Sequence, residues 1–129
     1  IRDVTLIDLK SRERIHTPLL HMNVDEVLIA HEFLDEAGDV HRAQIAREQK
    51  EDLQNVRVFY TGNLNVELAG AIQPSSYEVS DRTSRRFFVM REPKLRGFED
   101  HGDQDLIGLH NLSYAILNKF RLSYIYDFN

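Results

Sequence analysis

The chain has 129 residues, 42% of them hydrophobic and 29% charged, a balance that supports one packed core and excludes a disordered or low-complexity polymer. Cysteine is absent, which removes disulfides, thiolate nucleophiles, zinc–thiolate sites and iron–sulfur clusters together. With 21 acidic and 16 basic residues the net charge is −5, so an anionic partner would have to be recognised by a local patch rather than by the whole surface.

In chain order, Val4-Thr5-Leu6-Ile7-Asp8-Leu9 is β-branched and apolar enough for a strand. A polar turn over residues 10–14 leads to a second strand over 15–20, which Pro18 confines to a sheet edge because proline donates no ladder hydrogen bond. Two readings compete for the next stretch. Asn23 or Asp25 caps a helix that ends at Gly38, or Val27, Ile29, His31 and Phe33 line one face of a strand that turns back at Glu36–Asp39. The helix formers from Ala43 to Leu53 predict a helix over 40–54.

Further on, the alternation of residues 56–60 predicts a strand, and Leu64, Val66 and Leu68 predict another. Residues 77–79 and 86–90 flank Asp81-Arg82-Thr83-Ser84 as a hairpin, and 93–104 reads as loop. Asp105 can cap a helix with Leu109, Leu112, Ile116 and Phe120 on one face. The tail alternates Phe120, Leu122, Tyr124, Tyr126 and Phe128, which predicts a closing strand with the Leu and a Tyr in the core. The expected architecture is one α+β domain over 1–129: a mainly antiparallel sheet of about five to seven strands with two or three helices packed on one face.

No segment approaches the ~18 consecutive apolar residues of a membrane-spanning helix, so no membrane is expected among the partners. The absence of cysteine fits a reducing, cytoplasmic location. No basic start precedes an apolar stretch, so no signal peptide is expected, and the initial Ile suggests a processed chain or a domain cut from something longer.

Three groups of residues carry candidate chemistry. The loop Glu99-Asp100-His101-Gly102-Asp103-Gln104-Asp105 gathers oxygen donors and an imidazole, so Asp100, His101, Asp103 and Asp105 are the candidate ligands of a divalent cation. Its spacing does not match an EF-hand, and an acidic helix start explains the same residues. His31 with Asp35, and Glu32 with Glu36, would share helix faces if that segment were helical. The segment 82–96 sets Arg82, Arg85, Arg86, Arg91, Lys94 and Arg96 against Glu92 alone, a candidate anion- or partner-binding patch interleaved with Phe87 and Phe88.

Gly-x-Gly-x-x-Gly, phosphate-loop and Gly-x-Ser-x-Gly signatures are missing, and no catalytic residue is singled out. The expectation is a non-catalytic protein–protein interaction or assembly domain, a self-associating subunit of a larger structure, with no obligatory cofactor. The alternatives are a metal-dependent hydrolase built on loop 99–105 and a nucleic-acid-binding module built on the basic hairpin 82–96.

Overall fold

The computed structural model describes residues 1–31, 52–77 and 85–128. Among them are eight strands: β1 (Arg2–Ile7), β2 (Arg14–Leu19), β3 (Ile29–Ala30), β4 (Gln54–Tyr60), β5 (Val66–Ile72), β6 (Phe87–Arg96), β7 (Tyr114–Asn118) and β8 (Tyr124–Asp127). One short helix, α1 (Gln104–Ile107), runs into a 3-10 turn at Gly108–His110. No described helix is long and apolar enough to cross a membrane.

The α+β expectation is therefore corrected: the described chain is mostly β, in two antiparallel sheets, without two or three helices on one face. The helix expected from Asp105 stops within two turns. Asn111 leaves the helical region, Leu112 drops into the core, and Tyr114-Ala115-Ile116-Leu117 continues as strand. Leu109, Leu112 and Ile116 share a helical spacing, but the aromatic and β-branched run favours the extended chain. Most of the helix expected over 40–54 lies outside the described residues, and Gln54 already begins β4. Of the two readings of 23–38, the described part does not take the helix and keeps the strand only at Ile29–Ala30. Asn23 caps only a 3-10 turn (Val24–Glu26), its side chain accepting from the Asp25 N–H, and β3 follows.

β1 and β2 form a separate hairpin. Its turn is built by Asp8, whose Oδ1 accepts from the N–H groups of Ser11 and Lys10, and these bonds hold the carboxyl below the ordinary aspartate range. The remaining strands make one six-stranded sheet in the order β3-β7-β6-β5-β4-β8. β4 to β7 form a consecutive meander, and β8 crosses back to the far side of β4.

That crossing fixes the shape. In a flat sheet β7 and β8 would stand four spacings apart, about 19 Å. The six Cα steps from Asn118 to Tyr124 include a 3-10 turn at Lys119–Arg121, which rises only ~2 Å per residue. Such a connection cannot cover the flat distance, so the sheet curls. Tyr60 of β4 shows the same curl, since its hydroxyl donates to the Asn118 carbonyl of β7 at 3.1 Å. Burial of that hydroxyl pushes its pKa well up, so it stays protonated and donates.

The inside of the curl is the core: Val56, Val58, Tyr60, Val66, Leu68, Ile72, Phe88, Met90, Leu112, Ala115 and Leu117. β6 runs to Arg96, six residues beyond the expected strand end and through Pro93. A bulge makes this workable. Pairing shifts by one residue between Ala69 and Ala71, and Glu92 adopts φ +46° and donates its N–H to the Ser113 carbonyl. Gly70 lies opposite, where a Cβ would stand 2.6 Å from Met90 Cγ and 2.7 Å from the Arg91 carbonyl oxygen.

Candidate functional site

The outer face of the curled sheet follows from register. Tyr124, Phe59, Glu67 and Arg96 form one cross-strand row over β8, β4, β5 and β6. Tyr126, Arg57, Ala69 and Lys94 form the next, and Asn55, Ala71, Arg91 and Tyr114 the third. Alternation makes this assignment unambiguous, because the residues between them (Val56, Val58, Leu68, Pro93) are buried on the other side.

One half of the face is aromatic. The Phe59 ring stacks on Tyr124 with centroids 4.4 Å apart and planes 18° from parallel, and on Tyr126 at 5.9 Å and 17°. Tyr124 is 52% and Tyr126 43% exposed. The Arg57 guanidinium sits 5.0 Å over the Phe128 ring. The other half is basic. Lys94 and Arg96 are exposed and make no ion pair or side-chain hydrogen bond in the described structure. Between the halves stand Glu67 in the first row and the small side chains of Ala69 and Ala71 in the other two. Arg57 Nη1 lies 3.5 Å from Glu67 Oε1, an ion pair at its long limit, and Arg57 Nε and Glu67 Oε1 are buried without a hydrogen bond.

The six cations expected to make one patch are divided. Arg82 lies outside the described residues. Arg85 and Arg86 precede β6 at one end, where Arg86 pairs with Asp25 and lies 5.9 Å over the Phe120 ring. Arg91, Lys94 and Arg96 lie toward the other end, and ten residues of strand, about 33 Å, separate Arg86 from Arg96.

The acidic loop is engaged within the protein. Asp103 caps α1, taking the Asp105 N–H on Oδ1, while its Oδ2 pairs with Arg14. Asp105 Oδ2 takes Arg14 Nη1 at 2.7 Å. The Arg14 bond, foremost, holds the Asp103 carboxyl below its ordinary range, and both aspartates raise the Arg14 pKa. Asp100 accepts from the Gly102 N–H and pairs with His110 Nε2 at 2.9 Å, and His101 Nε2 faces Glu99 at 3.3 Å. The four candidate ligands thus point to three different partners, and no three His, Asp or Glu side chains among the described residues are grouped to hold a metal ion. His31 Nδ1 donates to the Tyr114 carbonyl at 2.6 Å, while Glu32, Asp35 and Glu36 lie outside the described residues.

Arg14 also ties the β1–β2 arm to the body. The arm's strand-to-strand pairs Leu6–Ile15, Val4–Thr17 and Arg2–Leu19 lie on one face. Ile15 and Leu19 are 53% and 51% exposed and belong neither to the core nor to the residues packed against it.

Comparison with protein families, curated proteins and solved structures finds no match.

Sequence reading missed Arg14, Arg57 and Phe59. Arg57 and Phe59 were visible as the odd positions of an alternating strand, but their neighbours depend on register across β8 and β5, which spacing along one strand does not carry.

Proposed function

We propose that this chain is a non-catalytic assembly domain that joins copies of itself through the β1–β2 arm. The observation that carries this reading is the apolar arm face of Leu6, Ile15 and Leu19, left outside the core. An isolated two-stranded hairpin is marginal in water, and it gains stability by covering such a face. Every buried CH₂ is worth about 0.8 kcal/mol, so two or three large side chains outweigh what an exposed ion pair supplies.

A second copy is the occupant this reading commits to, because the anchor is self-supplied. Arg14 on the arm and the Asp103/Asp105 pair on the body are carried by every chain, so an arm can seat on its own body or on a neighbour's with the same ion pairs. Assembly of this kind needs no catalytic group.

Sedimentation velocity over a concentration series, at low and high NaCl, tests it. Association should grow with concentration and hold or strengthen at high salt, since excluded salts favour apolar burial. The double variant Ile15→Ser/Leu19→Ser should remain monomeric. A wild-type monomer at every concentration and salt overturns the reading, as does unchanged association of the double variant.

A further inference from the structure

The outer face of the six-stranded sheet is separate from the arm and has a chemistry of its own. Three near-parallel rings stand at one side, Phe59 stacked with both Tyr124 and Tyr126, and both tyrosines are about half exposed. At the other side stand two cations with no partner in the described structure, Lys94 and Arg96. Glu67 is the carboxylate within the rows, and Arg57 lies beside it, so the face keeps a local positive excess on a chain of net charge −5.

We propose that this face binds single-stranded nucleic acid, with Tyr124, Phe59 and Tyr126 extending the stack of bases and Lys94 and Arg96 holding phosphates. Aromatic rings and unpaired cations on one open face are what a single strand requires. Every base has a flat apolar surface to stack, and the backbone supplies an anion at each step. From β8 to β6 the face spans three strand spacings, about 14 Å, which accommodates on the order of four stacked bases at ~3.4 Å. Ala69 and Ala71 keep the ground between rings and cations low, so a strand can lie across it. A duplex does not fit this scheme, because its bases are stacked on one another and present no free face to the tyrosines.

An acidic protein segment would satisfy Lys94 and Arg96 but would leave the rings unused. The rings therefore favour the nucleic-acid strand over a purely anionic partner.

The test is fluorescence anisotropy with a labelled fifteen-base oligo-dT, its duplex with oligo-dA, and polyglutamate as competitor, on the full chain at low salt. Single-stranded DNA should bind, the duplex more weakly, and polyglutamate should compete poorly. Affinity should fall with rising salt, at a slope of about −0.7 for each phosphate neutralised. Tyr124→Ser/Tyr126→Ser should weaken binding by about tenfold or more while leaving the salt slope in place. Lys94→Gln/Arg96→Gln should weaken it and flatten the slope by about 1.4, the value for two phosphates. Circular dichroism and melting of both variants confirm that the fold persists. No binding of the single strand, equal binding of duplex, strong competition by polyglutamate, or tyrosine variants that bind as wild type would each overturn the proposal. Equal loss of duplex and single-strand binding in the lysine–arginine variant alone would reduce the face to a polyanion patch, and the stacking role would be wrong.

Discussion

The hydroxyl of Tyr60 donates to the backbone carbonyl of Asn118 across two intervening strands, and the two residues together pin the curled sheet. Asn118 is fully buried and has every polar group engaged. Its Nδ2 donates to the carbonyls of Asp25 and Val27, its Oδ1 accepts from the Phe120 N–H, and its own N–H donates to the Leu28 carbonyl. One side chain thus ties β7 to the Val24–Glu26 turn and to the turn that launches the crossing to β8.

Asn118→Ala leaves three backbone groups without a partner, and at roughly 1 kcal/mol each the loss should be about 3 kcal/mol. Tyr60→Phe removes one hydrogen bond and should cost about 1 kcal/mol. Urea denaturation gives both values. Equal costs for the two variants would show that Asn118 is not the hub described.

Gly70 faces the bulge of β6, and a methyl group there meets the Arg91 carbonyl as well as Met90. Met90 can shift its chain, but the carbonyl is backbone and cannot. Gly70→Ala should therefore destabilise by about 2 kcal/mol, within the usual range for overpacking. A melting temperature unchanged from wild type would mean that the strands part easily at this point.

The arm should respond to acid. The Asp103 carboxyl lies below its unfolded value of 3.8 because Arg14 holds it, so its contribution is present above that value and lost as pH falls through the lower folded value. Fast backbone motion in β1 and β2, read from ¹⁵N relaxation, should stay low at neutral pH and rise in strong acid. Arg14→Ala should produce the same mobility at neutral pH without lowering the melting temperature of the body. An arm equally rigid in Arg14→Ala would show that its seating rests on other contacts.

Along β8 the inward residue is Ile125, paired with Val58, while Tyr124 and Tyr126 face outward. Ile125→Ala should cost about 2 kcal/mol, and Tyr126→Ser nearer 1 kcal/mol for a lost aromatic contact. Chemical denaturation ranks them. The reverse order would restore the tyrosines to the core.

That reversal was the natural expectation from sequence, and its failure shows what patterning carries. Alternation over residues 124–127 is real, but period two does not say which face turns inward. Leu122 of the expected inward set does pack against the core, but the pairing of Ile125 with Val58 turns both tyrosines outward. The strands near residues 4–9, 15–20, 56–60 and 66–68 were legible because β-branched residues and turn chemistry agree there. Pro93 normally ends a strand, which hides the second half of β6, because the bulge that accommodates it shows only in the backbone, with Glu92 at positive φ. The short helix reads too long because Leu109, Leu112 and Ile116 fit a helical spacing while Tyr114–Leu117 equally fits a strand. Of the candidate sites, the loop acids are legible as residues, but not their shared claim on Arg14, 89 and 91 positions away from Asp103 and Asp105.

The two flanks of the described sheet have a consequence for behaviour at high protein concentration. β3 offers two residues and β8 four, so each rim presents only a brief row of open backbone groups. Fibril growth needs a longer template, on the order of six residues, to register an incoming chain. This sheet should therefore seed ordered fibrils poorly even when crowded.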